Sequence, residues 1–228
     1  MNIGGISRTG RHHKINQDAF LCKPYNDGYI LVVSDGMGSK PLSHYGSKCL
    51  CESIYDVIAN FSLDIDAISF SNVIFMCHEE WKKRLVGYDL SQCYATMLVA
   101  VIRENKIKAA RLGDGFLSIY IDNDLVCLYD MKESYFANET DCVREVLDRE
   151  KIEIVELDYR LFHGVIACTD GIEIGMMKEE ELVSFTREFV NEYSKKESSE
   201  AIYEIGQWIE DWPGSDDKTL AFVIESEE

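Results

Sequence analysis

The order of its apolar segments restricts this chain's fold more than any other feature. Residues 28–34 (Gly-Tyr-Ile-Leu-Val-Val-Ser) are short, β-branched and apolar on both faces, which predicts a buried strand. Residues 94–102 read the same way. Glu104-Asn105 then turns the chain into 106–112, Gly113-Asp114-Gly115 interrupts it before 116–121, and Asp122-Asn123-Asp124 leads to 125–129. This pattern predicts a run of antiparallel hairpins. Further strands are expected at 152–157, 164–169 and 219–225.

Helical spacing occurs in two pairs of segments. The first helix is expected over 41–60, after Ser39 and with Pro41 in an early position; Leu42, Tyr45, Cys49, Ile54 and Val57 mark its apolar side. A break at Ser62-Leu63-Asp64 leads to a second helix over 65–86. The second pair covers 178–194 and 198–210, joined by Ser194-Lys195-Lys196-Glu197. A short extra helix is expected over 141–148. Strands and helices therefore do not alternate, which argues against a doubly wound parallel sheet. An α+β four-layer α-β-β-α sandwich uses every element: two antiparallel sheets face to face, with a helix pair on each outer face. Strands apolar on both sides suit that packing. At 228 residues, one domain spanning 1–228 is expected.

The chain carries 41 acidic and 23 basic residues, a formal net charge of −18. A field of that sign opposes binding to nucleic acid or to an anionic membrane, so neither is expected as a partner. It favours retention of divalent cations, and it equally serves solubility. None of the eight cysteines forms a Cys-x-x-Cys pair, which argues against a zinc ribbon or a thioredoxin-type site. Several lie inside apolar runs, as Cys127 and Cys168 do, and read as small buried hydrophobes in a reducing compartment. The N-terminus lacks a signal pattern and no apolar stretch approaches membrane-spanning length, so a cytoplasmic protein is expected.

Four Asp residues stand beside the expected strands: Asp18 in Asn16-Gln17-Asp18, Asp35 in Ser34-Asp35-Gly36, Asp170 in Thr169-Asp170-Gly171, and Asp216 in Ser215-Asp216-Asp217. Hard divalent cations take oxygen ligands, and carboxylates this far apart in sequence converge only in a folded domain. The set points to a metal site and to hydrolysis of a phosphate ester. Each position has a plainer reading. Asp-Gly is a common turn dipeptide, Asp114 between two glycines reads as a tight turn, and Asp217 is either a second acid or a solvated turn residue.

Taken together, the motifs resemble the metal-dependent protein serine/threonine phosphatases of type 2C, particularly the compact bacterial members. The matching stretches are Asn16-Gln17-Asp18-Ala19, Val33-Ser34-Asp35-Gly36-Met37-Gly38, Ala95-Thr96, Leu112-Gly113-Asp114, Cys168-Thr169-Asp170-Gly171 and Asp216-Asp217-Lys218-Thr219, in the family's order. The resemblance implies a β-sandwich flanked by helix pairs. It implies two divalent ions, Mn²⁺ or Mg²⁺, bridged by Asp35, with the Gly36 carbonyl on one and Asp170 and Asp216 on the other. Asp18 would hold water in the metal shell and help orient the attacking one. Asp114, with Asp170, matches the place of a third ion. A phosphoprotein substrate and a cognate serine/threonine kinase follow from the same resemblance.

The chain departs from the family pattern at several points. His13 stands where an Arg usually binds the substrate phosphate, so Arg11 or His13 is expected in that role. Ser39 replaces a second Gly, Gly115-Phe116 replaces Ser-Arg, and Asp217 stands where Asn is common. The stretch 115–169 leaves little room for the mobile flap of many relatives. Two other readings stay open: a catalytically weak relative that binds phosphoprotein or a partner without turnover, and a hydrolase of small phosphorylated metabolites.

Overall fold

Alternate residues of the central strands enter different packing layers. In β3 (Gly28–Ser34), Ile30 and Val32 pack with Leu50, Ile54 and Trp81, whereas Leu31 and Val33 pack with Val165, Ala221 and Val223. β4 (Met97–Arg103) divides in the same way, Val99 to one side and Leu98 and Ala100 to the other. In β10 (Lys218–Ile224), Leu220, Phe222 and Ile224 meet the helix residues Phe189 and Ile205, while Ala221 and Val223 face the space between the sheets. Three layers of buried side chains thus separate four layers of backbone. Each fully buried Val, Leu, Ile or Phe contributes about 1.5–3 kcal/mol. A one-residue slip would exchange the two faces of a strand, so this packing also sets the register.

The structure, a computed structural model, describes residues 1–60, 65–129, 140–172 and 178–227. One five-stranded sheet has the order β1 (Asn2–Arg8), β10, β9 (Phe162–Cys168), β6 (Phe116–Ile121), β7 (Asp124–Tyr129). The other has the order β2 (Ala19–Tyr25), β3, β4, β5 (Lys106–Leu112), β8 (Glu153–Asp158). All neighbours are antiparallel. Helices α1 (Ser43–Ala59) and α2 (Phe70–Arg84) cover the second sheet, and α3 (Glu179–Tyr193) and α4 (Ser198–Asp211) cover the first. The expected four-layer α+β sandwich is the observed one. No helix among the described residues is long and apolar enough to cross a membrane.

Several local expectations need correction. Residues 141–148 form no helix. Val143 is buried and donates its N–H to the Ala95 carbonyl at 2.8 Å, so the segment runs as an added bridge beside Ala95; only a 3-10 turn follows, at Arg149–Lys151. The first helix starts at Ser43, with Pro41 in the preceding turn, and the second begins at Phe70 after a 3-10 turn at Ile65–Ala67. The break placed at Ser62-Leu63-Asp64 lies outside the described residues, as does 130–139 within the stretch weighed for a flap. The run of hairpins is real at β4–β5 and β6–β7, where Glu104, Asn105 and Asp122 take positive φ. It is broken at Gly113-Asp114-Gly115, where the chain crosses from one sheet to the other.

That crossing helps to explain the placement of the site. In the β2–β8 sheet, Ala19 pairs with Ser34 and Met97 with Leu112, so the start of β2, the end of β3, the start of β4 and the end of β5 share one edge. In the other sheet, Arg8 pairs with Lys218, and Cys168 with both Leu220 and Phe116. The end of β1, the start of β10, the end of β9 and the start of β6 therefore share an edge too. The three-residue crossing from β5 to β6 sets the two edges side by side.

Candidate active site

Asp35 and Asp170 are positioned by the backbone around them, and Asp114 by a hydroxyl remote in sequence. Asp35 follows β3; its N–H donates to Thr96 Oγ1 at 2.9 Å and its carbonyl accepts the Thr96 N–H at 2.8 Å. Ser34 Oγ donates to the Thr96 carbonyl at 2.7 Å. The Gly36 N–H donates to the Gln17 carbonyl at 3.0 Å, and a Cβ on Gly36 would lie 2.6 Å from that oxygen, so only glycine fits the turn. Asp170 follows β9, where Thr169 N–H donates to the Thr219 carbonyl at 3.0 Å. Asp114 accepts a hydrogen bond from Thr140 Oγ1 at 2.8 Å.

The outcome is convergence. Carboxylate oxygens of Asp35, Asp114 and Asp170, all half-buried, lie within 4.8 Å of one another. They line a cavity of about 190 Å³ together with Asp216, Gly36 and His13. Asp18 lies behind this wall. Its Oδ2 accepts from Thr169 Oγ1 at 2.9 Å, while its Oδ1 is buried and receives no hydrogen bond. Burial pushes the Asp18 carboxyl up to about 7, against the opposing hydrogen bonds of Thr219, Asp35 and Thr169. Burial also pushes Asp35 well up, reinforced by the charges of Asp18 and Asp170.

Carboxylates so placed are costly as bare anions, since they repel one another out of bulk water. An oxygen-only donor set with a donor-free carboxylate oxygen fits a hard divalent cation. Asp35, Asp114 and Asp170, with Asp216 and Asp18, are the residues able to hold one or more.

Comparison with known proteins decides the family. The sequence model described as protein phosphatase 2C matches residues 8–209. The chain belongs to the protein phosphatase 2C family. It is a metal-dependent protein serine/threonine phosphatase, and its cofactor is a divalent metal ion. Solved structures agree on the fold. The catalytic domain of the serine/threonine protein phosphatase PstP, in complex with two manganese ions, superposes with a TM-score of 0.72 at 13% identity, over 99% of this chain and 98% of that one. The serine/threonine phosphatase Stp1 from Staphylococcus aureus gives 0.72 at 14% identity, over 100% and 96%. PppA of Pseudomonas aeruginosa, described as a key regulatory component of T6SS, gives 0.68 at 17%, over 97% and 96%. No curated protein matches the chain by sequence.

Within this phosphatase 2C fold, the two basic candidates part company. His13 lines the cavity, with Nε2 3.6 Å from Asp216 Oδ1 and Nδ1 3.1 Å from Asp217 Oδ2. Arg11 is exposed and is not among the lining residues. Asp217 is neither solvated nor in the cavity wall. It is 3% exposed, and its two oxygens accept the Gly10 and Gln17 N–H groups at 2.7 Å each. It raises the pKa of His13 above the ordinary histidine range, chiefly by side-chain hydrogen bonding and against the effect of burial.

Sequence reasoning missed Asp217 as an organiser, and it missed the hydroxyls of Thr169 and Thr140. The only signal for the threonines was their place beside acidic positions. Their partners, Asp18 and Asp114, are remote in sequence.

Proposed function

We propose that Asp35, Asp170 and Asp216, with the Gly36 carbonyl, hold two divalent cations, Mn²⁺ or Mg²⁺, and that Asp114 with Asp170 holds a third. The observation that carries this reading is the approach of the Asp35, Asp114 and Asp170 oxygens to within 4.8 Å. Divalent cations held there supply positive charge against the phosphoryl oxygens and acidify the water that attacks phosphorus.

The chain's own groups do the rest. Asp18 orients that water and takes a proton at Oδ1, the oxygen that receives no hydrogen bond. His13, steadied by Asp217, receives the phosphoryl group in the cavity. Water displaces the seryl or threonyl oxygen, whose bond to phosphorus breaks; the leaving oxygen takes up one proton from solvent, balancing the one given to Asp18, so that inorganic phosphate and the free hydroxyl are released. No side-chain nucleophile is required. Cys168, two residues before Asp170, is fully buried, and burial pushes its thiol well up, away from the reactive thiolate.

The substrate is phosphoserine or phosphothreonine in a protein, and a serine/threonine kinase supplies it in a reversible signalling circuit. All eight cysteines are free, which supports a reducing, cytoplasmic setting. Purified protein should hydrolyse p-nitrophenyl phosphate with Mn²⁺ and lose the activity to chelator and to Asp35→Asn. An active, chelator-resistant protein or an unaffected Asp35→Asn variant would refute the metal assignment.

A further inference from the structure

β1 ends the strand order of its sheet and pairs on one side only, with β10. In an antiparallel ladder the backbone groups of alternate residues point to opposite sides. Ile3 N–H donates away from β10, to Ser198 Oγ of α4 at 3.1 Å. Thr219, opposite Ser7, has its own backbone groups on the β9 side: its N–H donates to Thr169 Oγ1 and its carbonyl accepts the Thr169 N–H, both at 3.0 Å. Residues 3, 5 and 7 therefore turn their N–H and C=O groups outward. Ser198 covers the first of them. The outward groups of Gly5 and Ser7 have no partner among the described residues.

These groups form the floor of a groove. A cavity of about 670 Å³ runs along residues 5–8, lined also by Phe20 of β2 and by Ile202, Tyr203 and Gly206 of α4. A Cβ on Gly4 would lie 2.6 Å from Ile202, and one on Gly5 would lie 2.5 Å from Phe20. Neighbouring residues of a strand face opposite ways, so α4 and Phe20 wall the strand on its two faces. Tyr203 is 67% exposed on one wall. Unpaired main-chain groups between apolar walls are complementary to one more strand.

A second copy of this chain fits poorly as that strand. Neighbouring strands lie about 4.7–4.9 Å apart, whereas packed helices need about 8–10 Å between axes. A copy paired through its own β1 would bring its own α4 against this one. A segment without a helix on its face meets no such obstacle. We propose that β1 is a docking edge for an extended segment of a partner protein, held by the Gly5 and Ser7 backbone, with apolar side chains set against Ile202 and Tyr203. The Arg8 end of β1 pairs with Lys218, close to Asp216 in the catalytic cavity, so a segment seated there continues towards that cavity.

The probe is a fluorescein-labelled peptide of alternating Val and Thr with a terminal Lys, as long as β1. Its N-methylated analogue keeps the side chains and charge but has no main-chain donors. By fluorescence anisotropy the unmodified peptide should bind tighter than the analogue by about tenfold or more. Hydrogen exchange followed by NMR should slow at the Gly5 and Ser7 amides when the unmodified peptide is added. Ser7→Pro, at an edge position that tolerates proline, and Tyr203→Lys, on an exposed side chain, should each weaken binding by about fivefold or more. Equal affinity for the two peptides, no binding of either, or unchanged exchange at Gly5 and Ser7 would overturn the proposal. A dimer in sedimentation that already protects both amides without peptide would give the edge to a second copy and overturn it too.

Discussion

His13 Nδ1 lies 3.1 Å from Asp217 Oδ2, the same oxygen that accepts the Gln17 N–H at 2.7 Å. With Gly10 N–H on its other oxygen, one buried carboxylate ties the loop between β1 and β2 to the start of β10. Removing it would leave two backbone donors without a partner, at about 1–3 kcal/mol each. Asp217→Ala should therefore lower stability by about 2–6 kcal/mol in urea titrations. Asp217→Asn should cost less, because its side-chain oxygen still serves one amide. An alanine variant as stable as wild type would show that the loop is held by other contacts.

The same contact governs the His13 titration. Its folded pKa is raised, so its stabilising contribution is complete below the unfolded value of about 6.5 and is lost as pH rises through the folded value. In metal-free protein, NMR should show the His13 imidazole titrating above 6.5 and moving down in Asp217→Asn. An imidazole that ignores the substitution would remove the pairing.

Asp18 makes a prediction of opposite practical use. Its carboxyl is raised from 3.8 to about 7, chiefly by burial, so the fold favours the protonated form. That contribution is full below pH 3.8 and is lost as pH rises towards 7. Metal-free protein should thus carry a destabilising charge at neutral pH. Asp18→Asn should raise the melting temperature in chelator, and by more at pH 7.5 than at pH 5. Mn²⁺ should stabilise wild type at pH 7.5, since a ligand bound only by the folded state adds to its stability. An Asp18→Asn gain that does not change with pH would contradict the burial argument.

Thr169 joins two strands to one acid. Its hydroxyl donates to Asp18 Oδ2 at 2.9 Å and accepts the Thr219 N–H at 3.0 Å, with the residue 1% exposed. Thr169→Val keeps the shape and removes both bonds, so it should cost about 1–3 kcal/mol. It should also weaken Mn²⁺ activation by about tenfold or more, as loss of an orienting partner does at metal sites. Thr169→Ser should retain most of both properties. Equal Mn²⁺ dependence in the Val and Ser variants would show that Thr169 does not position Asp18.

Gly171 is a packing requirement. A Cβ there would sit 1.8 Å from the Asp217 carbonyl oxygen, so Gly171→Ala must separate the Asp170 turn from β10. A loss of about 3 kcal/mol or more is expected, together with loss of metal binding. Thermal melting that matches wild type would mean the turn yields freely.

Much of this protein was legible in its sequence. The apolar runs predicted every strand after β2, and helical spacing found both helix pairs, because local periodicity reports which faces are buried. The strand-end positions of Asp18, Asp35, Asp170 and Asp216 were visible for the same reason. Segment 141–148 was misread because its helix-like composition yields to a tertiary bond, Val143 N–H to the Ala95 carbonyl. β1 was not delimited, since Gly4 and Gly5 weaken its pattern and its pairing with β10 comes from the far end of the chain.

By itself, then, the sequence determined the elements, their order and the acids at their ends. Only the tertiary structure decided that Gly113-Asp114-Gly115 crosses between sheets, so that Asp114 joins Asp35 and Asp170. Only it separated His13, in the cavity, from Arg11 outside it, and turned Asp217 from a turn residue into the buried support of His13. The reason is physical. Local periodicity reports burial within a segment, whereas these relationships depend on register between strands and on hydrogen bonds between residues up to about two hundred positions apart.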